Sequence, residues 1–333
     1  MPNSAVRSFR DSDDYQRAVR GGDVQLSVTA AGQFEASLTR IDLHRLWMQR
    51  GEEKLSRIVR CSLPPSRSAI FFLTAHQKSV MHSSQAELSP GYIMSYAPGT
   101  EHYQRTHSET HWGAMSLTVD DLGAQYRAIV GRDLAATNSI RLIQPAPGVM
   151  SRLLALHETA GHLAASVPDL LAHTEVARAM EQELVLVMVA CLSDGVEVRH
   201  LGPHHRRTSI MRRFEELIEA EHDRPLYVSE VCKALGVPAR TLQATCHEIL
   251  GMGPNRYLWL RRMNLAQRAL ALADPAKRSV TEIATQYGFW ELGRFAVGYR
   301  TLFGEAPSAT LRRAARDVDT STRMVPKLAA HIA

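Results

Sequence analysis

The chain has 333 residues, 45% hydrophobic and 22% charged, with 39 Lys+Arg against 34 Asp+Glu. That is enough for two domains with real cores, and it excludes collagen-like, low-complexity and largely disordered readings. The longest uninterrupted apolar run, Leu184 to Leu192, has nine residues, whereas a membrane span needs about 20, so it reads as a buried helix segment.

Charge is unevenly spread. Residues 204–316 carry 18 Lys+Arg and 11 Asp+Glu, a net of +7, whereas residues 1–203 carry 19 and 21, a net of −2. A basic module on a slightly acidic one is the pattern of a chain with one end turned to a polyanion. Cys61, Cys191, Cys232 and Cys246 form no C-x-x-C pair and suit a reducing compartment. The first residues, with Arg7, Arg10, Asp11, Asp13 and Asp14, lack the apolar core of a signal peptide. The expectation is a cytoplasmic protein with no membrane contact.

In chain order, residues 1–120 read as mostly β. Val24–Ala30 alternates with period 2; Arg57–Leu63, Ala69–Leu73, Tyr92–Tyr96 and Thr110–Val119 are further strand-like runs. Breaks at Pro64-Pro65, Ser89-Pro90-Gly91 and Pro98-Gly99 give the spacing of a compact barrel or sandwich. Asp120 and Asp121 look like a helix start. From about Gly148 the pattern turns helical, with a longer helix over Glu175–Leu192. Its stripe of Val185, Met188, Val189 and Leu192 suits either an internal core or a dimer seam. Residues 193–207, with two Gly, one Pro and three His, read as linker.

The remainder is helical. Ile210, Phe214, Leu217 and Ile218 mark one amphipathic helix. Val228, Val231, Cys232 and Leu235 mark a short second one stopped by Gly236, and Arg240–Leu250 a third stopped by Gly251. Two helices joined by a tight Gly turn form a helix-turn-helix, with Cys232 at the crossing and Leu242 locking the second helix. The pattern recurs: Val280, Ile283, Ala284 and Tyr287 are followed by Gly288, and a helix from about Glu291 to Phe303 ends at Gly304. Here Ala284, Gly288 and Phe295 take the roles of Cys232, Gly236 and Leu242. Between the units, Trp259, Met263, Ala266 and Leu270 mark a helix over Pro254–Leu272. Its length of about 28 Å comes near the roughly 34 Å between successive major-groove faces.

These residues resemble the DNA-binding domain of the AraC/XylS family of bacterial transcription regulators. The matching stretches are LGVPARTLQATCHEILGMGPNRYLWLRRMNLAQRAL and SVTEIATQYGFWELGRFAVGYRTLFGEAPSATLR, covering about residues 208–313. The resemblance implies two helix-turn-helix units on a linking helix, promoter binding, an N-terminal effector and dimerisation domain, and recruitment of RNA polymerase. The expected domains are 1–195, a linker over 196–207, the DNA-binding domain over 208–316, and a flexible tail over 317–333.

With Leu242 and Cys246 facing the core, Arg240, Thr241, Gln243, Ala244 and His247 are the DNA-facing candidates of the first recognition helix. Arg suits the guanine edge and Gln the adenine edge. The second offers Glu291, Leu292, Gly293, Arg294, Ala296, Val297 and Arg300, mostly apolar or Gly apart from its charged members. That set favours thymine-methyl contact and shape readout, with Arg294 and Arg300 on phosphate. The family often carries a basic residue where Ala244 stands and an aromatic where Cys246 stands.

Gly91–His102, with its Pro98-Gly99 turn before His102, resembles the second motif of cupin barrels. His76, His82, His107, His111 and Glu101 lie nearby, but the first cupin motif, His-x-His followed by Glu, is absent. The fold expected is α+β: a cupin-like β-barrel with dimerisation helices, then the all-α tandem domain. Tyr92, Tyr96, His102, Tyr103 and Trp112 are candidates for lining an effector pocket. No catalytic triad, phosphate loop or nucleotide fingerprint appears, so no enzyme activity, cofactor or metal is expected. The reading is a homodimeric, effector-responsive regulator, an activator by resemblance. The alternatives are a cupin-like metalloenzyme fused to a DNA-binding module and a constitutive DNA-binding protein.

Overall fold

The computed structural model describes residues 2–74, 80–83, 86–135, 138–201, 206–221 and 224–313. His76 and the 317–333 tail lie outside the described residues.

The chain opens with β1 (Asn3–Phe9), α1 (Ser12–Ala18), β2 (Val24–Val28), β3 (Ala36–Asp42), β4 (Trp47–Glu53), β5 (Arg57–Ser62) and β6 (Arg67–Leu73). Next come β7 (Met81–Ser83), β8 (Ala86–Leu88), β9 (Ile93–Tyr96), β10 (Glu101–Thr106), β11 (Thr110–Thr118), α2 (Val119–Val130) and β12 (Ile140–Gln144). Three helices, α3 (Pro147–Ser166), α4 (Pro168–Ala172) and α5 (Thr174–Ser193), precede β13 (Val196–Leu201). The rest is helical: α6 (Arg206–Ala220), α7 (Val228–Leu235), α8 (Ala239–Leu250), α9 (Pro254–Leu272), α10 (Val280–Gln286) and α11 (Leu292–Phe303).

The strands form two antiparallel sheets, ordered β1-β3-β4-β11-β6-β9-β12-β13 and β2-β5-β10-β7-β8. Among the described residues no strand pair joins one sheet to the other, so the ladders do not close into a barrel. The β13 strand occupies the first part of the stretch read as linker and pairs with β12. Thr118, rather than the two aspartates, caps α2: its Oγ1 accepts from Asp121 N at 3.1 Å. Asp120 and Asp121 sit in the first turn, where the helix dipole favours negative charge.

Four apolar clusters hold the layers together. One lies behind the larger sheet, where Phe72, Met115 and Ile93 meet Leu153, Leu184, Met188 and Leu192. The α5 stripe is therefore internal core. A second fills the space between the sheets, with Leu26, Val59, Phe71, Tyr96 and Trp112. The third joins α6, α7 and α8 and takes in Ile58 and Tyr103 of the smaller sheet. The fourth belongs to α9, α10 and α11.

Candidate nucleic-acid interface and its neighbouring pocket

Two turns define the helical units. Gly236 closes α7 at φ 66° and Gly288 follows α10 at φ 75°, left-handed conformations that glycine adopts without steric cost. In the first unit Val231, Leu235, Leu242, Cys246, Ile249 and Leu250 are buried, fixing α8 across α7. That leaves Arg240, Gln243, Ala244 and His247 exposed, with Thr241 half-buried. Gln243 and His247 are hydrogen-bonded through their Nε2 atoms at 2.9 Å, one turn apart as i,i+4 neighbours.

The second unit is capped more tightly. Ser279 Oγ accepts from Glu282 N at 3.2 Å, and Glu282 Oε2 accepts from Ser279 N at 2.7 Å, a reciprocal box that satisfies two helix-end donors. Phe295, Tyr299 and Leu302 anchor α11. Glu291, Leu292, Gly293, Arg294, Ala296, Val297 and Arg300 are all exposed. Arg294 is paired with Glu291 at 2.9 Å. Val297 is 69% exposed, and Trp290, just before the helix, is 71% exposed. Sequence reasoning passed over Trp290; an aromatic between a Gly turn and a recognition helix was the available signal.

The smaller sheet has a different partner on each face, as strand alternation dictates. Register aligns Gln25, Arg60 and Tyr103 across β2, β5 and β10, and Leu26, Val59 and Gln104 in the next row. The first row meets the helical region. Gln25 accepts from Arg261 Nη1 at 3.1 Å and donates to Glu219 at 3.0 Å, and Arg60 bridges Glu101 and Glu219. Behind it Glu215, fully buried on α6, accepts from Tyr257 Oη at 2.6 Å and Arg261 Nη1 at 3.0 Å. Burial raises the Glu215 pKa and the Arg261 charge opposes the rise.

The second row faces a cavity of about 90 Å³ between the sheets. Tyr96, His102 and Trp112 line it, with Trp47, Phe71, Tyr15 and the guanidinium-bearing Arg20, Arg57 and Arg67. Tyr103 does not: it points the other way, into the α6–α8 cluster. Tyr92 is half-buried against the inter-sheet core but is not in the lining. His102 stacks on Tyr96 at 4.0 Å, and burial pushes its pKa down to about 3. A glycine at position 51 is needed here, because a Cβ would lie 2.2 Å from the Trp112 ring.

The candidate cupin metal set is scattered. His102 faces the cavity while Glu101, its neighbour on β10, pairs with Arg60 on the opposite face. His82 and His107 meet edge to face at 5.7 Å, and His111 lies 3.1 Å from Glu109. Among the described residues no three His, Cys, Asp or Glu side chains are grouped to hold a metal ion, and no helix is long and apolar enough to cross a membrane.

Comparison with known proteins fits the helical region. A family described as a helix-turn-helix domain matches residues 231–313. The probable thc operon regulatory protein of Rhodococcus erythropolis is 35% identical over 159 residues, 48% of each chain. The XylDLEGF operon transcriptional activator of Pseudomonas putida is 34% identical over 106 residues, 32% of this chain and 33% of its own. The chain thus spans half or less of these relatives. The solved structure of the AraC-like transcriptional activator CuxR covers 78% of this chain and 94% of its own at 15% identity, with a TM-score of 0.43.

Proposed function

We propose that this chain, which matches a helix-turn-helix family over residues 231–313, is an AraC/XylS-type, sequence-specific transcription regulator that binds promoter DNA with two recognition helices per subunit. The observation that carries the reading is the pair of turn-linked helices set at the two ends of α9, each with an exposed outer face. Arg240, Thr241, Gln243, Ala244 and His247 read one major groove, and the exposed face of α11, with Arg294 and Arg300 on phosphate, meets the next.

The N-terminal region, with β13 (Val196–Leu201) part of its larger sheet, serves as a cupin-like effector domain, followed by the DNA-binding domain over 208–316. The cavity bordered by Tyr96, His102 and Trp112 supports an effector site there. Effector occupancy shifts the balance between arrangements of the two regions. The working form is a cytoplasmic homodimer that recruits RNA polymerase and activates transcription. Selection of bound sites from a random duplex pool at near-physiological salt tests the reading. An enriched motif with two boxes about one helical turn apart is expected. Retention without enrichment, vanishing as salt rises, would reduce the function to generic phosphate binding.

A further inference from the structure

We propose that Arg256, on the ridge of α9 between the two recognition helices, enters the minor groove that faces the protein between two successive major grooves, and so makes the spacer of the DNA site a third element of recognition. The proposal rests on the DNA-binding reading above and adds a contact to it.

Position singles the residue out. Gly253, Arg256 and Trp259 are three residues apart and form one ridge along the start of α9. The two recognition helices reach that ridge at either end. Gln243, on the outer face of α8, lies against Gly253, where a Cβ would come within 2.9 Å of its Nε2. On α11, a Cβ at Gly298 would come within 3.1 Å of the Trp259 ring. Arg256 therefore stands midway, about 4.5 Å along the helix axis from each neighbour. Helices seated in successive major grooves on one face of a duplex leave a minor groove turned to the protein between them, half a turn from each. Arg256 is the charged side chain of the ridge that meets it.

The chemistry agrees. The Arg256 guanidinium lies over the Trp259 ring, 4.2 Å from its centroid, while the residue stays exposed. Cation–π attraction thus holds it in place without hiding it. Further along α9, Arg261 and Arg268 pair with Glu215 and Asp13. Among the described residues no carboxylate pairs with Arg256, and the first turn of α9 holds no acidic residue. That turn is where the helix dipole favours an anion and disfavours a cation. The counter-charge comes from outside the chain, and DNA supplies it. A narrow, A·T-rich minor groove has an enhanced negative potential that attracts arginine, whose guanidinium is more weakly hydrated than an ammonium. Guanine instead sets its 2-amino donor against a guanidinium that can only donate.

The test uses the full chain and duplexes built on the two-box motif enriched from the random pool, with the central spacer pairs made A·T, G·C or inosine·cytosine. Inosine keeps the major-groove edge of guanine and lacks its minor-groove amino group, so it isolates a minor-groove contact. The A·T and inosine spacers are expected to bind at least roughly fivefold more tightly than G·C, the effect of one unfavourable base pair. Arg256→Ala should make the three spacers bind alike, and Arg256→Lys should restore only part of the preference. The readout is a ratio between duplexes, so a variant that folds less well lowers all three together and leaves the ratio intact. Spacer indifference in the unaltered chain, an inosine spacer that binds like G·C, or an unchanged preference in Arg256→Ala overturns the minor-groove contact and leaves the two-helix reading standing. A pool that yields no two-box motif overturns the reading itself and the contact with it.

Discussion

On α8 the exposed positions include Arg240, Gln243, Ala244 and His247, whereas on α11 they include Leu292, Gly293, Ala296 and Val297 beside one Glu–Arg pair and Arg300. The scaffolds beneath are alike: a Gly turn at φ 66° or 75°, then an anchoring Leu242 or Phe295. The units also rest differently on the rest of the molecule. The first shares its core with Ile58 and Tyr103 of the smaller sheet, while the buried cluster of the second draws on residues from α9 onward. The second meets the N-terminal region through polar contacts, such as Arg268 to Asp13 and Gly32 N to the Leu302 carbonyl at 3.2 Å. The unit with hydrogen-bonding side chains shares its core with the sheet that walls the cavity, and the unit with an apolar face meets the N-terminal region through polar contacts.

The sharpest way to break that comparison is at the joint itself. Arg261→Ala leaves the buried Glu215 carboxylate with the Tyr257 hydroxyl but without its cation, and should cost about 3–5 kcal/mol in urea unfolding. Hydrogen exchange should show the loss in α6 and α8 before α11; an equal loss across both units would erase the distinction between them. Acid offers a second lever. His102 and His157 are buried neutral, each with a pKa pushed down by burial to about 3, below the ordinary 6.5. Their contribution is therefore intact above about pH 6.5 and falls as pH drops toward 3, by about 1.4 kcal/mol per unit for each histidine. His157 also hydrogen-bonds the Gln49 carbonyl at 3.0 Å, so His157→Gln should flatten the slope of stability between pH 6.5 and 5, and a pH-independent stability would refute it.

DNA-facing substitutions sharpen the comparison further. Arg240→Ala should cost roughly 1–3 kcal/mol at the preferred site and relax specificity there. Val297→Ala, losing at most a methyl contact, should cost about 1 kcal/mol or less and leave the salt dependence untouched. Equal losses on specific and random DNA for Arg240→Ala would remove the first unit's claim to base reading. Arg300→Ala gives the smallest effect on specificity: binding weakens alike on all sequences, and the salt slope falls by about 0.9.

The helical third was legible almost residue by residue. The expected Pro254–Leu272 helix has those bounds, and the expected stops at Gly236, Gly251 and Gly304 are left-handed helix caps. The N-terminal strands were legible only where apolar residues alternate or cluster, as in β2, β5, β6, β9 and β11. The sequence reading named no strand at β1, β3, β4, β7, β8, β10, β12 or β13; on β4 and β10 several buried positions are polar, Gln49 and Glu53 on one, His102 and Gln104 on the other. β10, which walls a polar-edged cavity on one face and meets the helical region on the other, has no apolar period to detect. Of the five pocket candidates, Tyr96, His102 and Trp112 reach the cavity, and Tyr103 faces away because it is adjacent to His102 on β10.

By itself, then, the sequence determined the tandem units, their outward residues and the basic character of that end, because helices and their turns are specified by side chains three or four residues apart. Which arginines gather around one cavity, and which face of the smaller sheet meets the helix-turn-helix units, was decided by tertiary structure. Arg20, Arg57 and Arg67 come from three separate segments, and Glu53 meets Trp112 only across the β4–β11 ladder. Such long-range register carries no local signature, because shifting a strand by one residue exchanges every side chain between its two faces.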